Sequence, residues 1–360
     1  MAVSDLCIGN PALRSLPSSA TVGEALIALK RSGCGASVGV WSSPEKKEVA
    51  GKVSMVDVLC FLCAEENISS PSAALDAPVS SLLPSSATVV RLVQPHSSIL
   101  EALEVILDGA QSLVVPIRSN AGRKKIAGGG SDLCWLTPED FVRFFLNSIA
   151  LFSPLPSLSI STLGIVRPAA LAVRHYESAL SALPLLRAAA ADQTSVAVVS
   201  DDGRLLGEIS PSTLSHCDQS TAAAIAALSA GELMAYVDFS TPPEAAIRAV
   251  KARLTESGLL GMLDFLNADS SSSSSSDEEP APRKRIRATR SGSYSARMGR
   301  RTEEAIVCHP GSSLMAVIIQ ALAHRVSYVW VVNDDYGLVG IVGFADILSV
   351  FREQLQYAAI

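Results

Sequence analysis

Two short segments of this 360-residue chain place a hydroxyl side chain three residues before a carboxylate: Ser54 precedes Asp57, and Thr137 precedes Asp140. At the start of a helix, a hydroxyl and free backbone amides can bind a phosphate, and a carboxylate can accept hydrogen bonds from both hydroxyls of a ribose. The same residues also suit ordinary helix capping, because a Ser or Thr N-cap with an acidic N3 residue satisfies unpaired amides. Spacing alone leaves both interpretations open.

Two further segments carry altered versions of this pattern. Ser210 is followed three residues later by Thr213 instead of a carboxylate, and Asp346 is preceded by Gly343 instead of a hydroxyl residue. A neutral hydroxyl cannot make the charged contact that a carboxylate makes with a ribose. We therefore treat Ser210 and Asp346 as weaker candidates for a ligand site.

All four segments occupy the same place in a repeated pattern. A short run rich in β-branched residues, typical of a buried strand, occurs four times, at 36–41, 112–117, 195–200 and 327–332. A hydroxyl residue that opens an amphipathic helix precedes each run, at Thr21, Ser98, Ser178 and Ser313. A second strand and a second helix start follow each run. The repeat predicts an α/β fold of four helix–strand–strand–helix units.

We expect the four units to form two pairs. The first pair spans 1–150, with units at about 10–65 and 76–150, and the second spans 151–360, with units at about 157–216 and 230–360. The last unit is interrupted at 267–302 by a serine run, an acidic cluster and a basic stretch. We predict that this insertion is disordered, because it contains too little apolar surface to offset the entropy cost of folding.

Composition narrows the class of protein. Hydrophobic residues make up 48% of the chain, but no uninterrupted apolar stretch approaches the roughly 18 residues that a membrane span needs. The seven cysteines are an odd and scattered set, which suits a reducing compartment. The first ten residues show neither a basic region nor an Arg-rich amphipathic face, so we expect a cytoplasmic protein without a secretory or transit signal.

The basic stretch of the insertion leaves one question of location open. Residues 283–301 carry eight basic residues and no acidic one, so the rest of the chain is more acidic than the net charge of −6 suggests. This acidic body disfavours broad nucleic-acid binding. The stretch is either a solvated linker or a nuclear-localisation signal, and its residues of interest are Arg283, Lys284, Arg285 and Arg287, with Ser291, Ser293 and Ser295 as candidate phosphoacceptors.

The fourfold unit, with its Val-rich strand and its G-h-h-S/T-x-x-D junction (h, apolar), resembles the cystathionine-β-synthase (CBS) domain. The resemblance covers nearly the whole chain outside 267–302. The order of its features resembles the CBSX group of plant CBS-domain-containing proteins, which have four CBS units and no attached enzyme domain; these features are 158–163, 194–199, Leu233-Met234-Ala235-Tyr236 and Ser295-Ala296-Arg297-Met298.

The resemblance implies two disc-shaped paired modules with clefts for an adenosyl ligand, namely AMP, ADP, ATP or S-adenosylmethionine. Asp57 and Asp140 would contact the ribose, and Ser54 and Thr137 would lie near the phosphates. The predicted function is non-catalytic regulation, by sensing such a ligand or by docking partner proteins. The alternative is a ligand-independent interaction scaffold with degenerate clefts.

Nothing in the sequence predicts an enzyme. No nucleophile, base and orienting group can be combined into a catalytic set, and the five histidines do not fall at metal-binding spacing. We therefore expect no catalytic residue, no metal and no required cofactor. A homodimer through the CBS pairs is one possible assembly, and the identity of the regulated partner is not readable from the sequence.

Overall fold

The computed structural model describes residues 2–10, 13–32, 37–43, 48–83, 90–117, 132–239, 242–272 and 305–358. The basic and serine candidates at 283–295 lie outside these ranges. The strands are β1 (Ser15–Pro17), β2 (Val38–Ser43), β3 (Glu48–Val53), β4 (Val90–Leu92), β5 (Ser112–Ile117), β6 (Asp132–Leu136), β7 (Arg167–Pro168), β8 (Ala172–Arg174), β9 (Val196–Val199), β10 (Leu205–Ile209), β11 (Val307–Cys308), β12 (Tyr328–Val332) and β13 (Leu338–Gly343).

Helices flank these strands, and the described part of the chain has no helix that is both long and apolar enough to cross a membrane. The helices are α1 (Val3–Leu6), α2 (Val22–Ser32), α3 (Met55–Leu62), α4 (Pro71–Ala74), α5 (Ile99–Leu107), α6 (Pro138–Asn147), α7 (Leu183–Asp192), α8 (Pro211–Leu214), α9 (Thr221–Ala227), α10 (Ala230–Val237), α11 (Glu244–Glu256), α12 (Leu260–Ser272), α13 (Leu314–His324) and α14 (Phe344–Ala358). Short 3₁₀ segments are Val79–Leu82, Ile149–Phe152, Leu155–Ser157 and Ala179–Ala182.

Each repeat builds a small sheet around one central strand. The sheet orders are β1-β2-β3, β4-β5-β6, β10-β9-β8 and β11-β12-β13-β7. In every sheet the central strand pairs in parallel with a short preceding strand and antiparallel with the strand that follows it. The predicted α/β fold of four helix–strand–strand–helix units is confirmed.

Helix starts follow the capping chemistry expected from the sequence. In the first unit Thr21 N donates to Glu24 Oε2 at 2.8 Å, and Glu24 N donates to Thr21 Oγ1 at 3.1 Å. Ser98 and Glu101 make the same reciprocal pair in the second unit, at 2.9 and 3.1 Å. Two backbone amides that the helix itself cannot satisfy are paired at each start.

The units of a pair exchange their leading segments, which the repeat alone did not predict. Residues 75–83 hydrogen-bond to the start of the first unit, with Val79 N donating to Ala20 O at 2.7 Å. Residues 2–10 do the same for the second unit, and Val3 N donates to Ser97 O at 3.0 Å. The corresponding segments of the second half are 228–237, bonded to the third unit, and 158–168, bonded to the fourth.

Sheets meet within each pair, whereas helices meet between the pairs. Leu13 N donates to Leu133 O at 2.7 Å between the first two units. One buried core joins helices of the first and third units, and another joins helices of the second and fourth units. Phe145 stacks on Phe351 in the second core, with ring centroids 4.9 Å apart. One chain therefore brings four units around a common centre.

Two helices before the insertion extend the first core. Apolar residues of α11 and α12 are buried against it, among them Val250, Leu254 and Met262. The sequence predicted the start of the disordered insertion at Asn267, but α12 continues to Ser272. The remainder of the predicted insertion, 273–302, lies outside the described residues.

A glycine in the second strand of three units allows the exchanged segment to pass close by. At Gly340 an added Cβ would lie 2.3 Å from Arg167 O and 2.8 Å from a methyl group of Val166. At the equivalent Gly207 the nearest atom would be the sulfur of Met234, at 2.5 Å, which belongs to a flexible side chain.

We expect Gly340→Ala to destabilise the protein by about 1–3 kcal/mol, because backbone atoms of β7 must shift to admit the methyl group. Urea unfolding would show this as a lower midpoint with an unchanged m-value. Gly207→Ala is the matched control, and its loss should be smaller because Met234 can change rotamer. Equal losses at the two positions would contradict the assigned role of the β7 backbone.

Candidate functional site

The first junction, between β3 and α3, holds its hydroxyl and carboxylate together. Ser54 is the N-cap of α3, and both its amide and its hydroxyl donate to Asp57 Oδ2, at 2.7 and 2.6 Å. None of the described residues donates a hydrogen bond to the other oxygen, Oδ1. Helix capping therefore uses only one carboxylate oxygen of Asp57, and the second oxygen, Oδ1, remains available to a ligand.

A cavity of about 340 Å³ opens beside this junction. Its polar lining includes Lys52 from β3, Asp57 from α3 and Arg187 from α7 of the third unit. Its apolar lining includes Phe61 and, from the exchanged segment, Leu82 and Leu83. The cavity thus combines apolar surface, one carboxylate and two cations, and it draws these groups from both pairs.

Burial sets the charge state of these groups. Desolvation lowers the pKa of Lys52 to about 8, although the negative charge of Asp57 opposes this shift. Desolvation also raises the pKa of Asp57, against the hydrogen bonds from Ser54 and the charges of Lys52 and Arg187. Lys52 Nζ is held by Ser112 Oγ at 3.0 Å, and Arg187 Nη2 donates to Cys60 O at 3.2 Å. Both cations are therefore fixed by neutral partners and keep charge to offer to an anion.

The second junction, between β6 and α6, has the same internal hydrogen bonds as the first, but different residues surround its carboxylate. Thr137 N and Oγ1 both donate to Asp140 Oδ2, at 2.7 and 2.9 Å. The other carboxylate oxygen accepts a hydrogen bond from Asn10 Nδ2 at 3.3 Å, and the same amide contacts Trp135 O at 3.1 Å. A side chain of the exchanged N-terminal segment therefore occupies the oxygen that is open at the first junction.

The weaker candidates are also engaged by the protein itself. At the third junction the Ser210 hydroxyl lies 2.7 Å from that of Ser212 and 2.8 Å from that of Thr213, with no carboxylate in the set. At the fourth junction Asp346 Oδ2 accepts from Gly343 N and from Arg167 Nε, both at 2.8 Å. Burial raises the pKa of Asp346, and these two donors oppose the shift. Asp346 is thus compensated by a guanidinium from β7.

Sequence reasoning missed three of the residues that line the first cavity. Lys52 lies inside the repeated junction pattern, but nothing in that pattern shows that its side chain turns into a cleft. Arg187 and Gln111 reach the cavity from other units. Their positions depend on how the two pairs meet, so only the assembled fold could reveal them.

Four paired units with junctions of this form define a four-domain CBS protein. A model of the CBS domain matches residues 301–353. The chain is 45% identical over 383 residues to CBS domain-containing protein CBSX5 of Arabidopsis thaliana, and the alignment covers 98% of this chain and 97% of that relative. The chain therefore belongs to the CBSX group of plant CBS domain-containing proteins.

Two more distant comparisons agree with the fold. An Arabidopsis thaliana protein named SNF1-related protein kinase regulatory subunit gamma-like PV42b is 23% identical, with 99% of this chain and 96% of that relative aligned. The solved structure of protein MJ1225 from Methanocaldococcus jannaschii superimposes with a TM-score of 0.59 at 14% identity, covering 98% of this chain and all of the other. At this identity the structural likeness shows the fold alone.

Proposed function

We propose that this protein is a non-catalytic regulator that binds a phosphorylated adenosyl ligand in the cavity at the first junction. The observation that carries the proposal is the open Asp57 Oδ1 in a cavity that also presents two cations and an apolar wall. A carboxylate suits a ribose diol, cations suit phosphates, and apolar side chains suit a purine face.

The charge of the lining favours a nucleotide over S-adenosylmethionine. Lys52 and Arg187 lie on the same cavity as Asp57 and act on its carboxylate. A phosphate would be attracted by both cations, whereas the sulfonium group of S-adenosylmethionine carries a positive charge and would be repelled by them. AMP, ADP and ATP are therefore the preferred members of the predicted ligand set.

The location of the cavity suggests how occupancy could be transmitted. Arg187 belongs to the second pair, while Ser54 and Asp57 belong to the first, so a ligand that contacts all three bridges the two pairs. Such a ligand biases the arrangement of the pairs by the difference between its affinities for two arrangements. The relative named as a kinase regulatory subunit supports a regulatory role of this general kind.

Calorimetric titration with AMP, ADP, ATP, adenosine and S-adenosylmethionine tests the proposal. We expect one bound nucleotide per chain, because Asn10 occupies the second carboxylate oxygen of Asp140, the third junction has no carboxylate, and Asp346 is paired with Arg167. We also expect the nucleotides to bind at least about tenfold more tightly than adenosine or S-adenosylmethionine, which corresponds to one charge-assisted contact.

Arg187→Gln should remove much of the preference for nucleotides over adenosine and S-adenosylmethionine. Arg143→Gln provides a matched control, because Arg143 pairs with Glu139 on an exposed helix surface. Tighter binding of S-adenosylmethionine than of AMP would overturn the choice of ligand. Absence of binding by every compound at millimolar concentration would overturn ligand sensing.

The second candidate function is a ligand-independent scaffold. It is favoured by the three junctions that are closed or altered: Asp140 is engaged by Asn10, Asp346 by Arg167, and the third junction has Thr213 in place of a carboxylate. In this case regulation would depend on protein docking alone. The titration separates the two candidates, since a scaffold predicts no adenosyl ligand at all.

A further inference from the structure

A second cavity, of about 250 Å³, is also lined by Lys52 and Ser54. It shares these two residues and Ala190 with the cavity at the first junction. Its remaining walls come from the turn between α7 and β9, from α8 and from the turn between α13 and β12. Three of the four units therefore contribute to it, and the proposed adenosyl site does not account for it.

The lining of this second cavity is cationic and rich in hydroxyl groups. It includes Lys52 and Arg325 but no acidic residue. Within the described ranges, neither cation has a carboxylate oxygen within 4 Å. The nearby carboxylate of Glu208 is engaged elsewhere, because it accepts from Tyr328 Oη at 2.8 Å and from Trp330 Nε1 at 2.5 Å. In the described part of the protein, no carboxylate on the walls of this cavity neutralises its positive charge, although Asp57 of the first cavity acts on Lys52 from beyond 4 Å.

One hydroxyl on this wall has no partner. Thr194 is 4% exposed, and its Oγ1 is buried without a hydrogen bond to any described residue. The neighbouring hydroxyls are satisfied: Ser327 Oγ donates to Gln193 O and Ser215 Oγ donates to Ser212 O, each at 2.6 Å. A buried polar group without a partner is costly, and an acceptor oxygen in the cavity would satisfy the Thr194 hydroxyl.

We propose that this second cavity is a binding site for a tetrahedral oxyanion, such as a phosphate group, that does not recognise a ribose. Lys52 and Arg325 supply the charge, and Thr194 donates a hydrogen bond. With Thr213 in place of a carboxylate, the third junction cannot hold a ribose as Asp57 is proposed to do. The bound group is either a free anion or the terminal phosphate of a nucleotide, because the two cavities meet at Lys52.

Thermal denaturation with sodium sulfate tests the site, since sulfate keeps its charge over the useful pH range. The melting temperature of the wild type should rise with sulfate, as expected when a ligand binds only the folded state. Thr194→Val should melt at a higher temperature than the wild type without sulfate, because the unpartnered hydroxyl is removed, and its response to sulfate should be smaller. Arg325→Asn, which keeps a residue suited to the positive φ of 57° at this position, should weaken sulfate binding by about tenfold.

Arg143→Gln, on an exposed helix surface, is the control variant, and Arg187→Gln separates the two cavities because Arg187 lines only the first of them. A sulfate response that survives in both Thr194→Val and Arg325→Asn, or that is lost only in Arg187→Gln, would overturn the proposal. Binding of unphosphorylated adenosine should be unaffected by Thr194→Val and Arg325→Asn, so failure of the adenosyl site and failure of this anion site are distinguishable. Competition by ATP but not by adenosine would identify the terminal phosphate as the occupant, and lack of competition would identify a free anion.

The pH dependence gives an independent readout. The pKa of Lys52 is lowered to about 8, and a bound anion would raise it, so binding takes up a proton when Lys52 is neutral. Sulfate affinity should therefore fall as pH rises above about 8. The other charged groups on the two cavities that Lys52 lines are Asp57, Arg187 and Arg325, and burial keeps the pKa of Tyr328 well above its usual range. A flat profile between pH 7 and 10 would contradict the role of Lys52.

Discussion

Lys52→Met is expected to stabilise the ligand-free protein by roughly 2 kcal/mol at pH 7 while weakening nucleotide binding by about tenfold or more. Lowering the pKa of Lys52 from 10.5 to about 8 corresponds to a cost of roughly 3 kcal/mol for keeping the ammonium group charged in the folded state. Methionine fills similar space without charge. The lost hydrogen bond to Ser112, worth about 1 kcal/mol, offsets part of the gain.

The gain from Lys52→Met should depend on pH in a defined direction. Between pH 8 and 10.5 the unfolded chain holds a proton on Lys52 that the folded protein has released, so wild-type stability rises with pH across this range. The advantage of the methionine variant is therefore full below about pH 8 and shrinks toward pH 10.5. Urea unfolding at pH 7 and pH 10 measures this difference. Lys30→Met, at an exposed site, should change neither stability nor binding, and a loss of stability in Lys52→Met at pH 7 would contradict the assigned cost.

Opposite effects on stability and binding would indicate that Lys52 serves ligand binding and not the stability of the fold. A charged amine held in a cleft without a carboxylate within 4 Å lowers stability, and it becomes favourable only when an anion is bound. Buried charge that the protein does not compensate is a common property of ligand sites. The same argument distinguishes the first junction from the fourth, where Arg167 compensates Asp346 within the protein.

The repeat, the strands and the helix caps could be predicted from the sequence because they depend on local patterns. β-Branched runs define β2, β5, β9 and β12, and hydroxyl–acid spacing defines the helix starts at Thr21 and Ser98. The exchanged leading segments could not be predicted in this way, because a short segment such as Val79–Leu82 carries no signal for which unit it will join. Its partner is decided by long-range packing within the pair.

In the candidate site too, local features could be predicted from the sequence and long-range contacts could not. Ser54 and Asp57, and Thr137 and Asp140, were predicted as equivalent ligand sites, since the two junctions are alike in sequence. The structure keeps their internal geometry alike, but Asn10 is 130 residues away from Asp140 in the chain and only 3.3 Å from it in space. What distinguishes the two junctions is thus a contact that no local pattern reports. The assignment of ligand to the first junction remains a proposal that mutation can test.

Asp57→Asn is expected to weaken nucleotide binding by about tenfold or more, whereas Asp140→Asn should leave binding nearly unchanged. Asparagine can still accept hydrogen bonds from the Ser54 amide and hydroxyl through its carbonyl oxygen. It then presents an NH₂ donor where Asp57 Oδ1 was open, so a ribose hydroxyl loses a charge-assisted contact worth roughly 1.5–3 kcal/mol. Because burial raises the pKa of Asp57, removing its charge should leave the stability of the free protein unchanged or higher at pH 7.

Calorimetry with AMP on both variants, together with thermal denaturation without ligand, gives the comparison. Asn10→Ala is a third variant that removes the side chain from Asp140, and it should allow a second, weaker nucleotide to bind. Equal losses in Asp57→Asn and Asp140→Asn would restore the equivalence of the two junctions that the sequence predicts. A loss of stability in Asp57→Asn that matches its loss of binding would instead assign the carboxylate to helix capping, because a ribose contact contributes nothing to the ligand-free fold.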